Sequence, residues 1–268
     1  MRAFLVVVMI AAPSVLLVDS TVDSQQMVAL VAIFAAALTF VEYNAVYPGI
    51  VEFRDAKPFN RVRFAMLFVT IFLLSVIERG RVEPTALTQL IEAIGHLIGA
   101  AMDFPYSPVR LVRLMMADGA NPAHVDAVRT AAGMAYLISL ISLAVFVMML
   151  RVGSWPRPNT AFNVWVNLPT FEPSAGGDVV HRLNRDGRVN IALGFLLPFL
   201  IPAVVSVSSV GFQPLQLGSS QTLIWTITLW AFLPASLFMR GIALGRVAAM
   251  IRDKRRAGLE GDGRLVPA

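Results

Sequence analysis

The stretch AAGMAYLISLISLAVFVMML, from Ala131 to Leu150, runs for twenty residues without a charged side chain and stops at Arg151. Twenty helical residues rise about 30 Å, the thickness of a bilayer's hydrocarbon core, so this stretch reads as a membrane span. Comparable stretches recur at Met27–Tyr47, Val62–Ile77, Asn190–Val210 and Thr222–Met239. A shorter apolar run, Phe4–Val18, follows Arg2. Its 15 residues rise only about 22 Å. We read it as a retained helix and not a cleaved signal peptide, because Ile10 stands where cleavage at Ala12-Pro13-Ser14 wants a small residue.

Arginine gives the runs a direction. With six spans and both termini in the cytoplasm, 17 of the 22 Lys and Arg residues lie inside. They are Arg2, the group from Arg54 to Arg63, the group from Arg151 to Arg188, and the group from Arg240 to Arg264. Five lie outside: Arg79, Arg81, Arg110, Arg113 and Arg129. The outer turns Asp19–Gln26 and Gly211–Gln221 carry none. Such an imbalance is the positive-inside pattern of a bacterial inner-membrane protein.

Composition agrees. Hydrophobic residues make up 57 % of the chain, charged residues 15 %, and mean hydropathy is +0.70, well outside the soluble range. Connectors are too short for a separate core, so residues 1–256 form one helical bundle, and 257–268 read as a flexible tail. The net charge of +5 points to anionic lipid, since no stacking platform or recognition helix accompanies it to suggest nucleic acid. Only Lys57 and Lys254 are lysine, a skew that fits a GC-rich bacterial source. Without cysteine, disulfides, thiolate metal sites and iron–sulfur clusters are excluded.

Pro84–Met102 is the one ambiguous segment. Leu87, Leu90, Ile91, Ile94, Leu97, Ile98 and Ala101 share one helical face. Thr85, Thr88, Gln89, Glu92, His96 and Asp103 share the other. A continuous polar stripe disfavours a lipid-surrounded span and predicts an interfacial or bundle-packed helix. A second short helix opens at Ser107-Pro108 and closes at Asp118-Gly119, and Asn121-Pro122 starts the helix that continues to Leu150. The expectation is an all-α polytopic membrane protein: six transmembrane helices plus an amphipathic periplasmic helix pair between spans three and four. The connector 151–188, rich in Pro and Gly, reads as a loop with one short hairpin in the alternating stretch Ala161–Leu168.

Few residues offer chemistry. Glu42 lies about 22 Å down its span, about 8 Å from the inner boundary, where it pairs with Arg54, Arg61 or Arg63 or serves a proton or substrate path. Tyr43, Asn44 and Tyr47 stand ready to hydrogen-bond with it. Glu52, Arg54, Asp55 and Arg61, interleaved with Phe53, Pro58 and Phe59, read as an ordered turn and a docking loop. Glu92 and His96, four residues apart, can share one ion or proton, but Asp103 is too far along the axis to complete a metal site. Within Gly95-His96-Leu97-Ile98-Gly99, His96 is a weak candidate ligand for a haem or chlorophyll-type pigment; otherwise no cofactor is expected. Pro198 and Pro202 free the carbonyls of Gly194 and Pro198, and Ala132, Gly133, Ala135, Ser139 and Ser142 form a small-residue packing face.

No nucleotide, nucleophile or metal motif occurs, so an enzyme is not expected. The expected function is that of a non-enzymatic accessory, scaffold or assembly subunit, with membrane lipids and other integral membrane proteins as partners. The alternative is a transporter or channel for a small solute, with Glu42 near its cytoplasmic mouth.

Overall fold

The computed structural model describes residues 1–55, 57–116, 120–153, 155, 162–172, 174, 176–208 and 218–262. In chain order these form α1 (Arg2–Leu16), α2 (Val22–Asn44), α3 (Lys57–Val82), α4 (Ala86–Met102), α5 (Pro108–Leu114), α6 (Pro122–Val152), α7 (Val164–Asn167), α8 (Val179–Ser208) and α9 (Ser220–Asp262). There is no strand among the described residues. Five helices are long and apolar enough to cross a membrane, namely α2, α3, α6, α8 and α9. At 15 and 17 residues, α1 and α4 are shorter. This is the build of an all-helical, membrane-embedded protein.

Local chemistry places the helix starts. Thr21 caps α2 by accepting the Ser24 amide, and Thr85 and Thr88 form a reciprocal capping box on α4. Ser107 caps α5 ahead of Pro108, and Asn121 caps α6 ahead of Pro122, as the sequence predicts. Asp118 and Gly119, expected to close α5, lie outside the described residues.

Two polar ends define the bundle. At one, Arg2 meets Tyr43, Glu52 meets Arg240, and Arg246 reaches the Leu150 carbonyl. At the other, Gln221 joins Ser14 and Ser24, Arg81 faces Glu78, and His96 faces Asp126. The helices α1, α2, α3, α6, α8 and α9 therefore run in alternating directions between these ends. The most central is α9, whose Leu223, Ile224, Ile227, Met239, Ala243, Leu244, Val247 and Ala248 are all buried against α3, α6 and α8. In contrast α2 packs mainly on α1, and of its residues only Ala32 and Glu42 are buried.

Glycine sets the closest approaches. A Cβ on Gly133 of α6 would overlap the backbone of Gly99 in α4, coming within 2.6 Å of its amide nitrogen. A Cβ at Gly241 of α9 would lie 2.6 Å from the Gly187 carbonyl oxygen of α8, and one at Gly194 of α8 would lie 2.8 Å from the Pro234 carbonyl oxygen of α9. Such backbone proximity supplies dispersion contacts that hold helices together. Pro202 cannot donate to the Pro198 carbonyl, and the Trp230 indole of α9 donates to it instead at 3.2 Å. That replacement closes one wall of a cleft of about 90 Å³ between α6, α8 and α9.

On α4 the buried residues are Thr88, Gly95 and Gly99, with Ile91 and Ile98 of the apolar face partly buried beside them, while Leu87, Leu90, Ile94 and Leu97 are exposed. The small residues admit the partner backbone. Two segments differ from expectation. The stretch expected to form a hairpin instead contains one helical turn, Val164–Asn167, capped by Asn163; a local side-chain cap outweighs the period-two pattern. Finally, α8 begins at Val179, inside the expected connector, and α9 continues to Asp262, into the expected tail.

Candidate functional site

Polar residues concentrate at the Glu52 end, where the α2–α3 connector folds under the bundle. Glu42, 8 % exposed, turns its carboxylate into this connector and accepts the amides of Gly49 (3.1 Å), Ile50 (2.9 Å) and Val51 (3.0 Å) on Oε2. Successive amides converging on one carboxylate form an anion nest. The expected arginine partners play a lesser part: the Arg54 guanidinium is spent on the Ala45 carbonyl at 2.5 Å. Arg61 is exposed. Arg63 lies over Phe59 and Phe232, at 5.0 and 5.6 Å from the ring centroids.

The turn then inverts at Phe53, which is fully buried and has φ of 51°. A non-glycine residue in the left-handed region is held there by its surroundings. Its ring packs on Phe59 and Trp155, and its amide donates to the Asn167 carbonyl at 2.6 Å. The neighbouring Asp55 amide donates to Asn167 Oδ1 at 3.0 Å. Glu52 completes the joint. Its carboxylate takes both prongs of Arg240 on α9, at 2.6 and 2.8 Å, and the Thr170 hydroxyl at 2.8 Å. Asn60 donates to the Glu52 and Phe53 carbonyls.

Of the residues expected in a docking loop, Glu52 and Arg54 are therefore held by ion-pair and main-chain contacts, Asp55 is anchored through its amide while its residue stays exposed, and Arg61 faces outward. Of those expected beside a proton or substrate path, Glu42 bonds to the loop, Tyr43 stacks beneath Arg2 at 4.0 Å, and Asn44 donates back to the Phe40 carbonyl at 2.7 Å. The three side chains do not converge on one point.

Glu92 and His96 also part company. His96 Nδ1 lies 3.2 Å from Asp126 of α6, a carboxylate that also binds Arg129, whereas Glu92 faces Arg81 at 4.0 Å. Asp103 pairs with Arg113 at 3.1 Å. The close approach that Gly95 and Gly99 permit beside His96 is taken by Thr130 and Gly133 of α6. Among the described residues no group of three His, Asp or Glu could hold a metal ion.

Two features escaped the reading of the sequence. Glu78 is 6 % exposed on the last turns of α3, although Arg79 and Arg81 beside it suggest the water outside a span. Gly241 and Gly245 form a small-xxx-small pair in α9, a spacing that could have identified the α8 contact. Comparisons of the chain with protein-family models, with curated proteins and with solved structures found no match.

Proposed function

We propose that this chain is a non-enzymatic, multi-pass protein of a bacterial inner membrane that acts as an accessory, scaffold or assembly subunit of a larger membrane complex. In this reading α1 joins the five long helices as a sixth span, the Glu52 end is cytoplasmic, and α4 and α5 lie at the periplasmic face. Lipid and other integral membrane proteins are its partners. The observation that carries the proposal is the engagement of Glu42. A carboxylate that accepts three loop amides is a structural clamp, and releasing it to carry an ion or proton would leave those amides unpaired. The same observation weakens the alternative, a transporter or channel built around Glu42. Glu52 and Arg240 extend the clamp to α9, so the polar end offers a fixed surface instead of a gate.

Extraction in a mild detergent, native electrophoresis and identification of co-migrating chains by mass spectrometry test the proposal. The expected result is a particle heavier than a homodimer that contains a second integral membrane protein in fixed stoichiometry. A monomer or homodimer alone overturns it.

A further inference from the structure

We propose that Arg63, flanked by Tyr43 and Arg2, forms a phosphate-binding site at the Glu52 end of the bundle. Arg63 belongs to α3 and lies about 9 Å along the axis from Lys57, where that helix starts. Its side chain runs back toward that start, with the guanidinium over Phe59, one turn earlier, and over Phe232 of α9. The rings attract the positive charge but offer no oxygen to its N–H groups. Arg63 Nε is buried without an acceptor. Its two Nη groups stay accessible, and neither makes a hydrogen bond or ion pair among the described residues. A guanidinium with every donor unused at a membrane boundary is costly, and an oxyanion relieves that cost.

The nearby acids are already committed. Glu52 is the acid whose charge acts on Arg63, but both its oxygens are taken by Arg240, and one also accepts the Thr170 hydroxyl. Two guanidiniums therefore share one carboxylate, which leaves a positive charge over. Glu42 is occupied by its loop amides, Asp55 is exposed, and Asp186 acts on Arg240. Tyr43 brings in a second cation. Its ring carries Arg2 at 4.0 Å, and it lies close enough to Arg63 to act on that charge. The Tyr43 hydroxyl makes no hydrogen bond and Arg2 no ion pair among the described residues, so both are free to donate.

Two guanidiniums and a phenol match a phosphate, whose several oxygens accept from separate donors and whose charge offsets theirs. Two sources present that group here: the headgroup of an anionic lipid, or a soluble phosphate. The surroundings favour the lipid. Leu5 and Phe40 share helix faces with Arg2 and Tyr43, one turn deeper in the bundle, and both are exposed, giving acyl chains an apolar wall beneath the headgroup. The inference stands apart from the assembly proposal, since a chain that migrates alone on native electrophoresis still offers these donors.

The experiment titrates the full chain, stripped of lipid in detergent, with phosphatidylglycerol and counts bound lipid by native mass spectrometry. Diacylglycerol, with the same chains and no phosphate, is the control, and inorganic phosphate is the soluble competitor. Arg63→Gln should weaken phosphatidylglycerol binding about tenfold or more. Arg61→Gln, which removes the same charge about 200° round the helix, should leave it unchanged. Binding that depends on Arg63 and resists inorganic phosphate supports the site with a lipid ligand; binding that depends on Arg63 and yields to inorganic phosphate supports the site with a soluble one. Equal binding of diacylglycerol, equal loss in the two variants, no loss in Arg63→Gln, or no binding at all overturns the proposal. If Arg63→Gln does not fold, Arg63→Lys decides, because it keeps the charge and loses the fork: weakening of about threefold or more supports the site, and unchanged binding overturns it.

Discussion

Arg240 grips Glu52 with two parallel hydrogen bonds, Nε to Oε2 at 2.6 Å and Nη2 to Oε1 at 2.8 Å, across 188 positions of chain. The pair fastens the first polar connector to the central helix and, through Thr170, to the connector preceding α8. Both side chains are mostly covered, at 12 % and 29 % exposure, so screening by water is limited. Glu52→Gln leaves Arg240 without its countercharge and should destabilise the fold by about 2 kcal/mol. Thermal unfolding in detergent measures this. In a double-mutant cycle, Arg240→Gln added to Glu52→Gln should cost much less than Arg240→Gln alone, and simple additivity would show that the two side chains do not cooperate.

Glu42 makes a separable prediction. Glu42→Ala removes the acceptor shared by Gly49, Ile50 and Val51, so those amides should exchange hydrogen at least tenfold faster while the middle of α3 is unchanged. Exchange mass spectrometry on the connector peptide reads the effect. Unaltered exchange there would remove the clamp from the account.

The glycines of α9 should behave unequally despite their matched spacing. A Cβ at Gly241 meets the Gly187 carbonyl at 2.6 Å, whereas a Cβ at Gly245 meets nothing within 4 Å. Gly241→Ala should therefore cost about 1–3 kcal/mol through overpacking. Gly245→Ala should be neutral or add up to about 1 kcal/mol from helix propensity. Equal effects in a thermal-stability comparison would contradict the α8–α9 packing described here.

Acid should loosen the tie between Asp178 and Arg255. The hydrogen bond from Arg255 at 2.7 Å, aided by the amides of Val180 and His181, holds the Asp178 carboxyl below its ordinary value. A depressed folded-state value means the tie contributes above the ordinary carboxylate range and is lost as pH falls through the lowered one. Because both groups are exposed, salt should weaken the effect. Arg255→Ala should raise the Asp178 titration midpoint toward normal, as read from its carboxyl carbon shift; an unmoved midpoint would exclude this pairing.

Much of the architecture was legible wherever a signal is local. Ser107-Pro108 and Asn121-Pro122 open helices because cap and proline act within one turn, and the apolar stretches announce the long helices by length alone. Contacts between distant segments were not legible. Nothing adjacent to Glu42 shows that its partners are backbone amides seven to nine residues later, since main-chain groups leave no mark on composition. Nothing local marks Glu78 as buried, since Arg79 and Arg81 lie beside it, yet a helix turns about 100° per residue, which lets one acid face the bundle while its neighbours leave it. In α4 the sequence shows which residues share a face, but not that Gly95 and Gly99 make its closest approach to α6.

The central position of α9 has a consequence for how the protein is made. It follows every helix it supports, so the ribosome delivers the keystone after the stones. Until it arrives, Glu52 lacks Arg240, Gly187 lacks its close neighbour and Gln221 cannot stitch Ser14 to Ser24. The nascent chain must wait in the bilayer with those surfaces open, which makes that interval the natural moment for a chaperone or a membrane protease to inspect it.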